Sequence, residues 1–109
     1  MSLWSAARNY YRALAHDRRG EELRARGRLE EAIKEHQAAV QLSPDHAAAH
    51  HHLGMAYYEV GRSEEACALW KKVLTLTYRT DRHLSEEADR MLRKFGWKPA
   101  PYWQIGAGE

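Results

Sequence analysis

Cysteine, proline and β-branched residues are all scarce in this chain of 109 residues, and each scarcity removes a class of structure. The single cysteine, Cys67, rules out an internal disulfide and fits a reducing compartment. With three prolines and few Val, Ile or Thr, a β fold has little to build on, whereas the good helix formers Ala, Leu, Glu and Arg dominate. No apolar run approaches the roughly 18 residues that a membrane-spanning helix needs. The N-terminus lacks the apolar core of a secretory signal. Charge of one sign is missing too: at a formal net charge of +2, no overall field draws a polyanion. A soluble, cytoplasmic, all-α domain without membrane contact is expected.

Catalytic patterns are equally sparse. There is no Gly-rich phosphate loop, nucleophile elbow or paired-carboxylate constellation. Cys67 has no base arranged near it on its predicted helix, so a packing or surface thiol is the simpler reading. Glu30/Glu31, Glu64/Glu65 and Glu86/Glu87 each fall in the first turn of a predicted helix, where the helix dipole favours negative charge. Neither enzyme activity nor a cofactor is expected.

What the chain does contain is helical periodicity. Leu3, Trp4, Ala7, Tyr11, Leu14 and Ala15 recur at helical spacing after a plausible cap, Ser2. They predict one helix over 3–26, with a break near His16 to Gly20 as the alternative, ended by Gly27-Arg28. Leu29, Ala32, Ile33, His36, Ala39, Val40 and Leu42 define a second amphipathic helix that stops at Ser43-Pro44. Ala49, His50, Leu53, Tyr57 and Val60 form the inner face of a third, broken at Gly61-Arg62. Ser63 then stands at an N-cap position before a fourth, with Ala66, Leu69, Trp70, Val73, Leu74 and Leu76 inward. Gly54 costs about 1 kcal/mol in a helix interior, which points to a neighbouring helix backbone too close to admit a Cβ. A last helix carries Leu84, Ala88, Met91, Leu92 and Phe95 and ends at Gly96. The two prolines of Trp97-Lys98-Pro99-Ala100-Pro101-Tyr102-Trp103 predict an extended tail.

Sliding the chain along itself until Ala13 falls on Ala47 also pairs Ala15 with Ala49, His16 with His50 and Gly20 with Gly54. The same shift pairs Gly27 with Gly61, Arg28 with Arg62, Glu30 with Glu64, Glu31 with Glu65, Ala32 with Ala66 and Leu42 with Leu76. A two-helix unit of this period resembles the tetratricopeptide repeat. In the second copy His50 stands where that family has tryptophan, followed by Leu53, Gly54, Tyr57, Ala66 and Trp70, with Pro44 closing the copy before. The first copy departs from the pattern at Arg19 and His36, and Tyr78 replaces the second copy's closing proline.

The resemblance implies an α-solenoid of antiparallel helix pairs. It would form a single domain over residues 1–96, with an N-terminal helical extension, repeats at about 13–46 and 47–80 and a capping helix at about 81–95, then an extended Pro/aromatic tail at 97–109. It also implies a non-catalytic adaptor that binds a protein or peptide segment in the concave groove lined by the first helices. Carried over position by position, the groove residues are Leu14, Asp17, Glu21 and Arg24 from the first copy and Ala48, His51, Met55, Tyr58 and Glu59 from the second. The third helix adds Arg82, Ser85, Asp89 and Leu92. Relatives that clamp the C-terminal carboxylate of chaperones use Lys, Asn and Arg. The corresponding positions here hold Asp17, Glu21, His52, Arg82 and Glu86, of which only Arg82 fits.

Two complete copies are fewer than the three or so that make such stacks stable, so the ends need covering. The tail, through Trp97, Tyr102 and Trp103, is the natural cover. It is expected to fold over its own chain as a lid; the alternatives are that it enters a second molecule's groove to make a homodimer, docks elsewhere as a Pro-aromatic ligand, or stays disordered. A different function class is carried by Arg8, Arg12, Arg19 and Arg26, which recur along the first helix with Tyr10 and Tyr11 between them. Such a stripe can track RNA phosphates while aromatics stack on bases. It equally well forms a solvated face whose arginine stems cover apolar surface, and this reading is preferred. His46, His50, His51 and His52 invite a zinc hypothesis through the i, i+4 pair His46/His50. No third ligand stands at a clear spacing, and no metal site is expected.

Overall fold

The computed structural model describes residues 2–98. Five helices follow one another: α1 (Leu3–Ala25), α2 (Leu29–Leu42), α3 (Ala47–Glu59), α4 (Ser63–Thr77) and α5 (Arg82–Lys94). α1 runs unbroken through His16 to Gly20, which removes the alternative of a break there. Its cap is the expected one, with the Ser2 hydroxyl accepting the Ser5 N–H at 3.1 Å. Ser63 does not cap α4. It is the first helical residue, and Arg62 takes the N-cap place without a side-chain bond. Glu86 and Glu87 also fall outside a first turn, because α5 already begins at Arg82, capped by the Asp81 carboxylate on the Leu84 N–H at 3.0 Å.

α1, α3 and α5 end in the same way. Gly27, Gly61 and Gly96 adopt φ values of +78°, +87° and +81°, the left-handed region that glycine enters without a Cβ clash. Just past each glycine an N–H reaches back to a carbonyl inside the helix: Arg28 to Leu23 at 2.9 Å, Arg62 to Tyr57 at 2.8 Å and Trp97 to Leu92 at 3.3 Å. The step from Gly61 to Gly96 is longer by a single position than the step from Gly27 to Gly61. The third unit is therefore offset by that one position, because α4 (Ser63–Thr77) is one residue longer than α2 (Leu29–Leu42).

α1 packs on α2, α3 on α4, and α5 on α4, while α3 also contacts α1, α2 and α5. The backbones of α2 and α4 do not approach each other closely among the described residues. This arrangement puts α1, α3 and α5 in one row and α2 and α4 in another. The main core lies between α3, α4 and α5 and includes Leu53, Tyr57, Trp70, Val73, Met91 and Leu92, with Ile33 joining from α2. Trp97 packs against its edge. A smaller alanine core, Ala13, Ala39 and Ala49, joins the first copy to the second. The remaining tail, with Tyr102 and Trp103, lies outside the described residues.

The periodicity of α1 misled in one respect. Its buried residues are Ala13, Asp17, Gly20 and Leu23, not the apolar stripe. Leu3 and Trp4 are each 83 % exposed and Tyr11 is 69 % exposed. A single-position offset turns a helix face by about 100°, so Ala13 and Leu14 look in different directions. Apart from Leu23, the buried face is built of the small and polar residues Ala13, Asp17 and Gly20, which carry little hydrophobic signal.

Gly54 is explained by a side chain and not by a helix backbone. A Cβ there would lie 2.7 Å from Nε1 of Trp70. Gly20 repeats the arrangement one copy earlier, where a Cβ would lie 2.6 Å from Cε1 of His36. In each repeat the ring of the second helix rests directly on a glycine of the first. Gly54→Ala removes the helix-propensity penalty of about 1 kcal/mol but overpacks a buried indole, at about 1–3 kcal/mol. Net destabilisation of roughly 0–2 kcal/mol is expected, and a urea midpoint above that of the parent protein would refute the contact.

Candidate functional site

The row of α1, α3 and α5 brings together side chains far apart in sequence. At its centre lies Asp17 of α1. His36 of α2 donates Nδ1–H to Asp17 Oδ1 at 2.8 Å, and His52 of α3 donates Nδ1–H to the same carboxylate at 3.0 and 2.9 Å. An ionised carboxylate only accepts, so each Nδ1 carries the proton. His36 is completely buried, Asp17 nearly so, and His52 is partly open. On the far side of the His36 ring, Nε2 stands 3.4 Å from Glu21 Oε1. Its geometry there makes an ion pair and not a hydrogen bond. Arg24 holds Glu21 in a two-point contact at 3.0 and 2.8 Å and reaches α3 through Glu59 at 2.6 Å.

The electrostatics follow from this packing. Burial pushes the Asp17 carboxyl up, but the bonds and charges of His36 and His52 prevail and hold it well below the usual carboxylate range. Glu21 is likewise raised by burial and lowered more strongly by His36 and Arg24, to about 2. For His36, burial disfavours the cation, yet Asp17 and Glu21 outweigh it and raise its pKa above the ordinary value. The first copy has thus exchanged an indole on glycine for an imidazole with two carboxylates in support.

Further along the row, burial lowers the pKa of His51, whose Nε2 lies 3.5 Å from Glu87 of α5. His51, Met55, Glu87, Arg90 and Met91 line a cleft of about 180 Å³ between α3 and α5. His50 turns inward and donates Nε2–H to the Pro44 carbonyl at 2.8 Å, its pKa lowered by burial.

The residues assigned to the groove from sequence divide accordingly. Asp17, Glu21, Arg24 and Glu59 form the α1–α3 network, and His51 and Met55 line the cleft. Leu14, Ala48 and Ser85 are half-buried. Tyr58 packs edge-on against Phe95 and tilted against Trp70. Arg82 is exposed and paired along its own helix with Glu86 at 2.7 Å, as Asp89 is with Arg93. Leu92 does not belong to the groove: it is 0 % exposed, a core residue. The single-position offset of the third unit explains this, since it makes Leu92 the counterpart of buried Tyr57. Arg90, which lines the cleft from α5 and is the counterpart of Met55 once the offset is applied, was missed for the same reason, whereas Glu87 answers to His52, a position not carried into the groove. Only the third glycine, standing one place beyond the repeat period, signalled the offset in the sequence.

The repeat signature in these residues has an independent counterpart. A TPR repeat family model matches residues 20–61, and a tetratricopeptide repeat model matches residues 47–79. The chain belongs to the tetratricopeptide repeat family. Comparison with curated proteins returned no match. Tetratricopeptide repeats generally mediate protein–protein interaction and are typically non-catalytic. No helix among the described residues is long and apolar enough to cross a membrane. The Arg8, Arg12, Arg19 and Arg26 stripe is exposed along the outside of α1, as are Tyr10 and Tyr11.

Proposed function

We propose that this tetratricopeptide repeat chain is an adaptor that holds a segment of a partner protein against the row of α1, α3 and α5. The cleft between α3 and α5 carries this reading. It offers the flexible thioethers of Met55 and Met91 beside Glu87 and Arg90, an apolar floor with charges of both signs at its edge. Methionine adapts its shape to an incoming side chain, and the flanking charges set the orientation of a peptide. The α1 end of the row is already closed by its own ion pairs, which leaves the α3–α5 end as the place for an anchor residue.

The test is selection of peptides from a random library on the folded chain. Affinity of the selected peptides is expected to fall at least about tenfold in Met55→Glu, which removes an apolar contact and repels acidic ligands (tenfold is about 1.4 kcal/mol). Peptides that bind Met55→Glu as well as the parent chain would refute the assignment. Loss of binding in Trp4→Ala instead would favour the second reading, association through the Leu3, Trp4 and Tyr11 stripe, whose exposure is the observation in its favour.

A further inference from the structure

We propose that Asp17, His36 and His52 form a binding site for a divalent transition-metal cation, with zinc as the fitting example. One ligand atom from each lies within 4.8 Å of the other two. The donors are Nδ1 of His36 and of His52, each of which releases its proton to solvent as the ion binds, and a carboxylate oxygen of Asp17. This nitrogen-rich borderline set suits zinc, nickel or copper and suits calcium or magnesium poorly. Three protein ligands with a fourth place left to water is a familiar zinc arrangement.

The surroundings supply the independent argument. His36 is 0 % exposed, directs Nδ1 into the cluster and has no hydrogen-bond partner at Nε2. A metal-bound histidine needs a partner such as a carboxylate facing its second nitrogen to fix the ring and raise its basicity. Glu21 stands in that place, 3.4 Å from Nε2, and Arg24 holds Glu21 there. The ring cannot tilt away easily, because it rests on Gly20. His52 is the mobile side of the site. Its side chain is partly open to solvent, so it can move outward by the small distance that separates hydrogen-bonded ligands from ligands around an ion. Three different helices contribute: α1, α2 and α3. A bound ion would lock the first repeat to the second, the joint at which the small alanine core offers least.

The site differs from the His46/His50 pair that the sequence spacing favours. Those two residues share one helix side, and the Nε2 of His50 is already engaged by Pro44. The two sites are separated by titrating the metal-free full chain with zinc against a chromophoric chelator, and with cobalt, whose visible spectrum reports coordination. One-to-one saturable binding is expected, weakened at least about tenfold in His52→Ala. The loss in Glu21→Gln is expected to be about tenfold, the usual effect of removing an outer partner. His46→Ala, and His83→Ala on the exposed side of α5, should bind as the parent does. Excess zinc should raise the melting temperature of the parent and not that of His52→Ala. His52 is partly exposed, so its removal leaves the buried Asp17–His36 pair and the fold in place; circular dichroism of the variant checks this. Absence of saturation overturns the proposal, as does equal affinity in His52→Ala and the parent. Loss in His46→Ala with none in His52→Ala assigns the ion to the α3 pair and overturns it equally.

Discussion

Trp70→Ala is expected to lower stability by about 4 kcal/mol, in the range for removing a fully buried aromatic side chain. Trp70 is 0 % exposed, lies over Gly54 and stacks on Phe95 at a ring separation of 6.1 Å. Removing the indole leaves Gly54 without its covering ring, so the cavity opens between two helices that have no side chain to refill it. Domains of this size are stable by about 5–15 kcal/mol, so a large share of the total is at stake. Chemical denaturation and a fall of roughly 20 °C in melting temperature are the readouts. Trp70→Phe should cost much less. The indole Nε1–H is buried without a partner, and losing an unsatisfied donor recovers about 1–3 kcal/mol against the smaller volume. If both variants prove equally damaging, the indole N–H has a partner in solution and the packing argument fails.

Asp17→Ala is expected to cost about 3 kcal/mol, the lower end for breaking a buried ion pair. Glu21 remains near the stranded His36, and His36 can release its proton, which keeps the effect from being larger. The pH dependence separates this from a simple packing loss. His36 has a raised folded pKa, so its contribution is full below its unfolded value of about 6.5 and is lost as pH rises through the folded one. Asp17 has a lowered pKa, so its contribution is full above about 3.9 and is lost as pH falls toward the folded value. The stability difference between the parent and Asp17→Ala should therefore peak between about pH 4 and 6.5. It should shrink on both sides, in solutions kept metal-free with a chelator. His50 and His51, whose pKa values are lowered, act in the opposite sense below about pH 6.5. They are present in both proteins and cancel in the difference. A difference that stays flat from about pH 4 to 9 would mean that the pair is not ionised as described.

The five helices and the repeat were legible because their signals are local. Helical periodicity, glycines at the ends of α1, α3 and α5, and pairs such as Gly27/Gly61 need no knowledge of contacts across the fold. Gly54 was legible as a close approach, but not as an approach to Trp70, because a missing Cβ does not say what fills its place. Leu92 was misplaced because the strict period separating Gly27 from Gly61 was carried into a unit displaced by one position more. The helical spacing of Leu3, Trp4 and Tyr11 gave the helix but not its buried face, since α1 buries Ala13, Asp17, Gly20 and Leu23.

By itself the sequence determined that the chain is all-helical, that it is built from a two-helix repeat and that it carries the tetratricopeptide signature. Each of these follows from backbone chemistry and spacing along one strand of chain. Only the tertiary structure decided that Asp17, His36 and His52 meet. They belong to three different helices, far apart along the chain, and no rule of local spacing links them. Their convergence depends on the angle at which the first helix pair packs on the second. The small core of Ala13, Ala39 and Ala49 joins the two pairs there, and the three side chains meet only once those pairs have packed.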